Sequence, residues 1–480
     1  MSWAAGRLLD CCDGCATRHG TLRWQEGRLT AESVQGPETA ETADRLIMPP
    51  LANAHDHVRG VRPISLGAFD LPLELWLLSL TGLPAVDPRL VTAAALGRQA
   101  RGGLGSIMVH YTRPQYPDRL AHELRTVAAA AREVGVRVAI AVAMRDQNLL
   151  GYGPDAAFLD ALDPAARTLV QSKLMRAVVP PDQQIALVDE LAAEAEGDGV
   201  TVQYGPYGLE WCSPALLRAI AARSAVTGRR VHMHLLESPQ QRDYLDVVYP
   251  QGPVRFLDEI GLLSPRLSVA HAAQLRPDEM ELLAERGVIV SINTSSNAIL
   301  RNGVAPAAEM HRRGVRLATG HDGFSIDDDD DALRELRLFS MLHRGTGFDR
   351  AIETADVLHA ACQTGREAVT GMTPAPMREG APADLLELDR SYAADVVVPV
   401  DETALMLHRA SARHIRRLVI GGRAVVEDGE LTGIDLPGVE RELDAQVRHG
   451  ATEYLSWQGA IGGLRDRLAS FYAAGQHRCG

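Results

Sequence analysis

The chain has 480 residues, 46% of them hydrophobic and 23% charged, a composition that supports one large folded domain plus a smaller one. A formal net charge of −13 without a basic stripe argues against a nucleic-acid partner. No apolar run approaches about 18 residues, so no membrane span is expected.

The first residues, Met1 to Cys12, lack a charged segment followed by a long apolar stretch, so no signal peptide is expected and the cytoplasm is the expected compartment. Residues 1–48 alternate and break at glycine, as short strands and turns do. They carry Cys11, Cys12 and Cys15 close together, but no second Cys or His pair follows at zinc-finger spacing; a strand and turn with incidental thiols is the better reading.

From residue 49 to 379, apolar runs alternate with helical patterns. The runs are "PPLANAHDH", "GSIMVHYT", "VRVAIAVAM", "VTVQYGPYG", "RRVHMHLLE", "LSVAHAA", "GVIVSINTSS" and "VRLATGHDG". Alternation of this kind predicts a parallel sheet with covering helices, and eight such units predict an α/β fold of the (β/α)8 TIM-barrel type. Residues 380–435 return to strand-like patterns, with a hairpin signal at Gly421-Gly422. Neither end segment can hold its own core, so residues 1–48 and 380–435 are expected to join in one composite β-sandwich. Residues 436–480 predict a helical extension.

The residues with metal-ligand chemistry fall at the ends of these runs. His55 and His57 share one face of a strand, because side chains alternate with period two. His234 is the expected third ligand; Glu237, three residues later, is the expected proton shuttle, and His232 a structural neighbour. Asp322 completes a set of nitrogen ligands plus a carboxylate, which suits zinc, and also iron or manganese. His271 is expected to hydrogen-bond the bound water or the substrate heteroatom. A metal lowers the pKa of a bound water from ~15.7 towards ~7, so the expected chemistry is attack by metal-bound hydroxide on an sp² carbon. Asp322 would accept the water proton and Glu237 would deliver a proton to the leaving nitrogen.

On "NAHDH", "HLLES", "AHAAQL", "NTSSNAILRNGVAP", "GHDG" and "GAPADLLELD", the chain resembles the amidohydrolase superfamily. It is most similar to the branch of cytosine, guanine and S-adenosylhomocysteine deaminases and triazine hydrolases. The resemblance implies a metal-dependent hydrolase acting on small molecules, with one divalent metal, and a homodimer or higher homo-oligomer. In it, His55, His57, His234 and Asp322 are ligands, and Glu237, His271 and Asp322 catalyse. Binuclear relatives bridge two metals with a carboxylated lysine; the single lysine here, Lys173, is not at a strand end, which favours one metal.

The segment "GPYGLEWCSP" departs from the branch's usual pattern, with Tyr207 in place of a common histidine and Glu210 and Trp211 following, and His321 stands where threonine is common. Such loops line the pocket, so Tyr207, Trp211 and His321 are candidate substrate contacts. His110, Arg145 and Asn297, near strand ends, are further candidates, as is Asp327 in an acidic run that otherwise caps a helix. The expected reaction is deamination of a nitrogen heterocycle or amidine-like carbon. The alternative is hydrolysis of a urea, an amide or a chloro-substituted ring. A non-catalytic metal-binding relative would need neither Glu237 nor His271.

Overall fold

A computed structural model of the chain describes residues 2–12, 15, 17–30, 34–35, 43–175, 177–324 and 328–478. All eight apolar runs form strands: Leu51–Asp56, Leu104–Tyr111, Arg137–Met144, Val200–Pro206, Val231–Leu235, Leu267–His271, Ile289–Ile292 and Arg316–Thr319. They pair in chain order, parallel throughout, in one eight-stranded sheet. The end of the last strand returns to the first, where the Asp322 N–H donates to the His55 carbonyl at 2.8 Å. The sheet is therefore a nearly closed barrel. Leu104–Tyr111 is buried at every position, as a strand must be when helices cover one face and side chains fill the other.

The covering helices carry local start and stop signals. Ser213 accepts the Leu216 N–H at 3.2 Å, Pro214 opens the helix Pro214–Thr227, and Gly228 ends it at φ +73°. Gly320, between the last strand and Asp322, is required by close approach: a Cβ there would lie 2.3 Å from Asn293 Oδ1 and 3.1 Å from His55 Cβ.

A second sheet of nine strands draws on both chain ends, from Ser2–Leu9 to Arg45–Met48 and from Leu385–Asp389 to Glu430–Leu431. The two ends meet where Leu386 pairs with Met48 and Leu388 with Leu46, antiparallel. Period-two alternation divides its side chains between two cores. Leu9, Leu46, Met48, Leu386 and Leu418 join the barrel's main apolar cluster, whereas Leu8, Ile47, Leu385 and Val419 join a separate cluster around Trp24. The same region also holds a helix, Glu402–Arg409, that its strand-like pattern did not predict; it buries Leu405 and Met406 in the main cluster.

The C-terminal stretch forms helices Leu436–Ala460 and Gly462–Ala473. The first sets Val439 and Leu443 against Leu90, Val91 and Ala94 of the helix Pro88–Arg101. The second sets Leu464, Leu468 and Phe471 against Phe158, Leu162 and Val170, with the Phe158 and Phe471 rings 4.7 Å apart. This brings Tyr472 to the mouth of the barrel, where its hydroxyl accepts the Tyr152 N–H at 3.0 Å. Among the described residues, no helix is long and apolar enough to cross a membrane.

Candidate active site

The polar side chains of the barrel gather at the carboxyl ends of its strands, where the backbone turns sharply. His271 and Asp322 adopt left-handed φ values of +72° and +57°, and Val58, Leu236 and Ala272 do likewise. Such a conformation costs a non-glycine residue about 1–3 kcal/mol, and residues held this way cluster at functional sites. The turn at Val58 is held by its N–H, which donates to Asp56 Oδ1 at 2.7 Å. Asp56 lies between the two histidines on the opposite face of the strand. Its other oxygen accepts from Asn53 Nδ2 at 2.9 Å and from the Gly323 N–H at 3.0 Å, tying the first strand to the loop that carries Asp322.

Hydrogen bonds at Nδ1 set the tautomers of the histidines. His57 Nδ1 faces the His110 carbonyl at 2.7 Å, and His234 Nδ1 faces the Tyr207 carbonyl at 2.7 Å. A carbonyl only accepts, so each ring carries its proton on Nδ1 and presents a bare Nε2 lone pair. Those two Nε2 atoms lie 3.4 Å apart and cannot hydrogen-bond each other in these tautomers. His57 Nε2 is also 3.0 Å from Asp322 Oδ1. His55 Nδ1 meets His232 Nε2 at 2.7 Å, and His232 Nδ1 meets Ser268 Oγ at 2.8 Å, a relay that turns the buried His55 Nε2 towards Asp322 Oδ1 at 3.4 Å. His55 Nε2 has no hydrogen-bond partner. Ligand atoms of His55, His57 and Asp322 lie within 4.8 Å of one another, as do those of His55, His234 and His271. Three imidazole lone pairs and a carboxylate converging on one point, with no donor among them, fit a divalent cation.

Electrostatics reinforce this arrangement. Burial holds His55, His234 and His271 below the usual imidazole range, so they are neutral and able to ligate. Burial pushes the Asp322 carboxyl up, but the Arg59 guanidinium and the rings of His55 and His57 outweigh it and hold the group well below its ordinary value. Arg59 donates to the Asp322 carbonyl, and Ser296 Oγ donates to Asp322 Oδ2. Glu237 goes the other way. Burial, then the charges of Asp322, Glu74 and Glu210, raise its carboxyl well above the usual range. Its Oε1 accepts from Asn302 Nδ2 at 2.9 Å, and Oε2 lies 3.6 Å from His271 Nε2. His271 Nδ1 is pinned by Asn297 Oδ1 at 2.9 Å. The two carboxyls are thus biased in opposite directions, Asp322 towards its ionised form and Glu237 towards its protonated form.

Above these groups opens a cavity of about 1090 Å³. Of the expected substrate contacts, Arg145, Tyr207 and Trp211 line it, with the Arg145 guanidinium 5.1 Å from the Tyr207 ring centre. His110, Asn297 and His321 do not. His110 lies one layer deeper, its ring 4.9 Å from that of His234 and its Nε2 donating to the Gly205 carbonyl at 3.1 Å. Asn297 is buried behind His271, and the backbone N–H of His321 donates to Asn53 Oδ1 at 2.9 Å. His110 and His321 stand at or just past strand ends and Asn297 on the helix Thr294–Ile299; all three are buried and outside the cavity lining. Asp327 lies outside the described residues. Lys173 ends the helix Pro164–Leu174 at the cavity edge, away from the ligand cluster.

Several wall residues had no sequence signal. Glu74, on the short helix Leu73–Ser79, accepts from Ser238 Oγ at 2.5 Å. Arg59, Trp76, Arg113, Tyr152 and Tyr472 also line the cavity. Of these, Arg59 had the best clue, since it sits two residues past His57.

Residues 46–425 match the Amidohydrolase family. The chain is 28% identical over 433 residues to the 5-methylthioadenosine/S-adenosylhomocysteine deaminase of Natronomonas pharaonis, covering 88% of this chain and 90% of that protein. It is 28% identical over 439 residues to the 5'-deoxyadenosine deaminase of Methanothermobacter thermautotrophicus, covering 87% and 92%. Among solved structures, a zinc-bound adenosine deaminase from Xanthomonas campestris superposes with a TM-score of 0.75 at 22% identity, covering 93% of this chain and 98% of that one. Atrazine chlorohydrolase from Arthrobacter aurescens with zinc superposes at 0.76 and 20% identity, covering 93% and 100%. At such identities the structural likeness speaks for the fold alone.

Proposed function

The chain belongs to the amidohydrolase family, metal-dependent hydrolases of C–N bonds, and on that premise we propose that it is an aminohydrolase releasing ammonia from an amino-substituted nitrogen heterocycle. Purine nucleosides are the first candidates, because the curated relatives named above are nucleoside deaminases. The observation that carries the reading is the pair of buried carboxyls on either side of His271 whose surroundings push them in opposite directions, Asp322 below and Glu237 above the usual carboxyl range.

His55, His57, His234 and Asp322 would hold one divalent metal, zinc first, with iron or manganese as alternatives; their bare nitrogens and single carboxylate support that donor set. When bound, the metal supplies Lewis-acid activation of a water, lowering its pKa from ~15.7 towards ~7. Asp322 is placed to take that water's proton. Glu237, biased towards its protonated form, gives its proton to the departing nitrogen, general acid help that contributes about 10²–10⁴ in rate. His271, held by Asn297, orients its Nε2 between Glu237 and Asp322, where it steadies the heteroatom at the reacting carbon. We propose further that the enzyme works as a homodimer or higher homo-oligomer in the cytoplasm, a compartment that suits its free Cys11, Cys12, Cys15, Cys212 and Cys362.

The test is direct ammonia detection with purified enzyme across amino-purine nucleosides, pyrimidines and triazines, before and after metal removal. Metal-dependent ammonia release supports the reading. Turnover of a urea or chloro-substituted ring without ammonia would replace it with the alternative leaving group.

A further inference from the structure

The cavity wall carries cations that the fold leaves without an anion. Elsewhere some buried or half-buried guanidiniums pair with carboxylates, Arg98 with Asp330 at 3.2 Å, Arg242 with Glu279 at 2.8 Å and Arg390 with Glu402 at 2.7 Å, while others, such as Arg132 and Arg337, donate to backbone carbonyls. On the wall, Arg59 is paired with Asp322. Arg113 is not. Among the described residues it makes no ion pair, and the one acceptor of its guanidinium is the Leu83 carbonyl, 3.1 Å from Nη2. The residue is part of the cavity lining. The site is an uncomfortable one for a charge: burial, and then the nearby Arg59 guanidinium, bring Arg113 down to about 10. A desolvated cation beside a second cation is costly unless an anion arrives to share it.

The position of Arg113 in the chain defines the geometry. It follows Thr112, whose Oγ1 lies 2.8 Å from His57 Nδ1, so it stands at the end of the second barrel strand beside the ligand cluster. The buried carboxyls that face the cavity are all engaged: Asp322 with Arg59 and the histidines, Glu237 with Asn302, Glu74 with Ser238. None reaches Arg113. Arg145 and Lys173, which also line the cavity, have no ion-pair partner among the described residues.

We propose that Arg113 is a specificity-determining residue that binds an oxyanion group of the substrate, a carboxylate or a phosphate, carried away from the reacting amino group. The inference rests on the reading that this cavity is the substrate site, and deepens it from an amino-substituted heterocycle to one that also bears an anion. The planar guanidinium offers the bidentate fork that carboxylate and phosphate both match.

The experiment compares matched neutral and anionic compounds on the metal-loaded enzyme: adenosine against adenosine 5'-carboxylate and adenosine 5'-monophosphate, and cytosine against 5-carboxycytosine. The expected result is a higher kcat/KM for an anionic member of a pair; whether the carboxylate or the phosphate leads identifies the oxyanion. Arg113→Gln should then lower kcat/KM for that member about 30-fold, chiefly through KM, and lower it several-fold less for its neutral partner, since a charge-assisted hydrogen bond is lost from one and not the other. Should the Gln variant not fold, Arg113→Lys, which keeps the charge but not the fork, should show the same selective loss at about tenfold. Preference for the neutral members in wild type, or equal losses on both members in either variant, overturns the proposal. If no compound releases ammonia, the aminohydrolase reading fails, and calorimetry with the same compounds decides the anion subsite alone. Tighter binding of an anionic member, weakened in Arg113→Gln, supports it; equal binding of both members, or no binding of the anionic ones, overturns it.

Discussion

On the floor of the cavity the metal-ligand histidines and carboxyls are held by named partners, whereas on the wall above it paired groups such as Arg59 and Glu74 stand beside cations that have no ion-pair partner among the described residues. His57, His234 and His271 are each pinned at Nδ1, and His55 is turned by a relay through His232 to Ser268. The wall is assembled from pieces distant in sequence, from Arg59 and Glu74 to Arg113, Tyr152 and Tyr472. There Arg145 lies against the Tyr207 ring and Arg113 donates to the Leu83 carbonyl, neither with an ion-pair partner among the described residues. The floor resembles a preorganised catalytic centre and the wall a recognition surface. Within one family fold, the first can stay constant while the second is rebuilt for a new substrate.

Substitutions should separate the two regions. The largest effect is expected from the floor: His234→Ala should lose the metal and all measurable turnover, and a full equivalent of metal by elemental analysis in that variant would mean that another residue holds the position. Glu237→Gln should keep the metal yet lower kcat by about 10²–10⁴-fold, the range for loss of a general acid; wild-type turnover would remove Glu237 from the proton path. One layer down, His232→Phe deletes the acceptor at His55 Nδ1 and should weaken metal affinity by about 10–100-fold in chelator competition. Unchanged affinity would show that packing alone orients His55.

The smallest effect concerns stability rather than chemistry. Burial raises the Glu210 carboxyl to about 8. Folding therefore favours its protonated form, and that contribution, present below the ordinary carboxyl range, is lost as pH rises through about 8. Glu210→Gln cannot ionise, so the fall in Tm between about pH 5 and about pH 9 should be smaller in this variant. An undiminished fall would place the alkaline sensitivity elsewhere.

The two regions also differ in how far they could be read from the chain. His55 and His57, Asp322, and the pairing of His234 with Glu237 were visible as residues because each follows an apolar run of strand length, and period two puts His55 and His57 on one face. The same logic could not tell depth. His110 stands at a strand end and Asn297 lies on the helix Thr294–Ile299, yet both are buried beneath the floor while Tyr207 lines the cavity, because depth depends on where each strand stops and how the following segment turns. Tyr472 carried no local signal; its role follows from how the last helix packs over Phe158 and Val170.

By itself the sequence determined the eight-fold alternation, the joining of both chain ends in one sheet, and the residue types able to hold a metal and move protons, since these depend on local periodicity and side-chain chemistry. Only the tertiary structure decided the tautomers, the opposite bias of the Asp322 and Glu237 carboxyls, and the absence of an ion-pair partner for Arg113 among the described residues. Those properties arise from burial and from through-space neighbours far apart in the chain. Arg59 beside Asp322 and the His110 carbonyl beside His57 become neighbours only when the barrel closes.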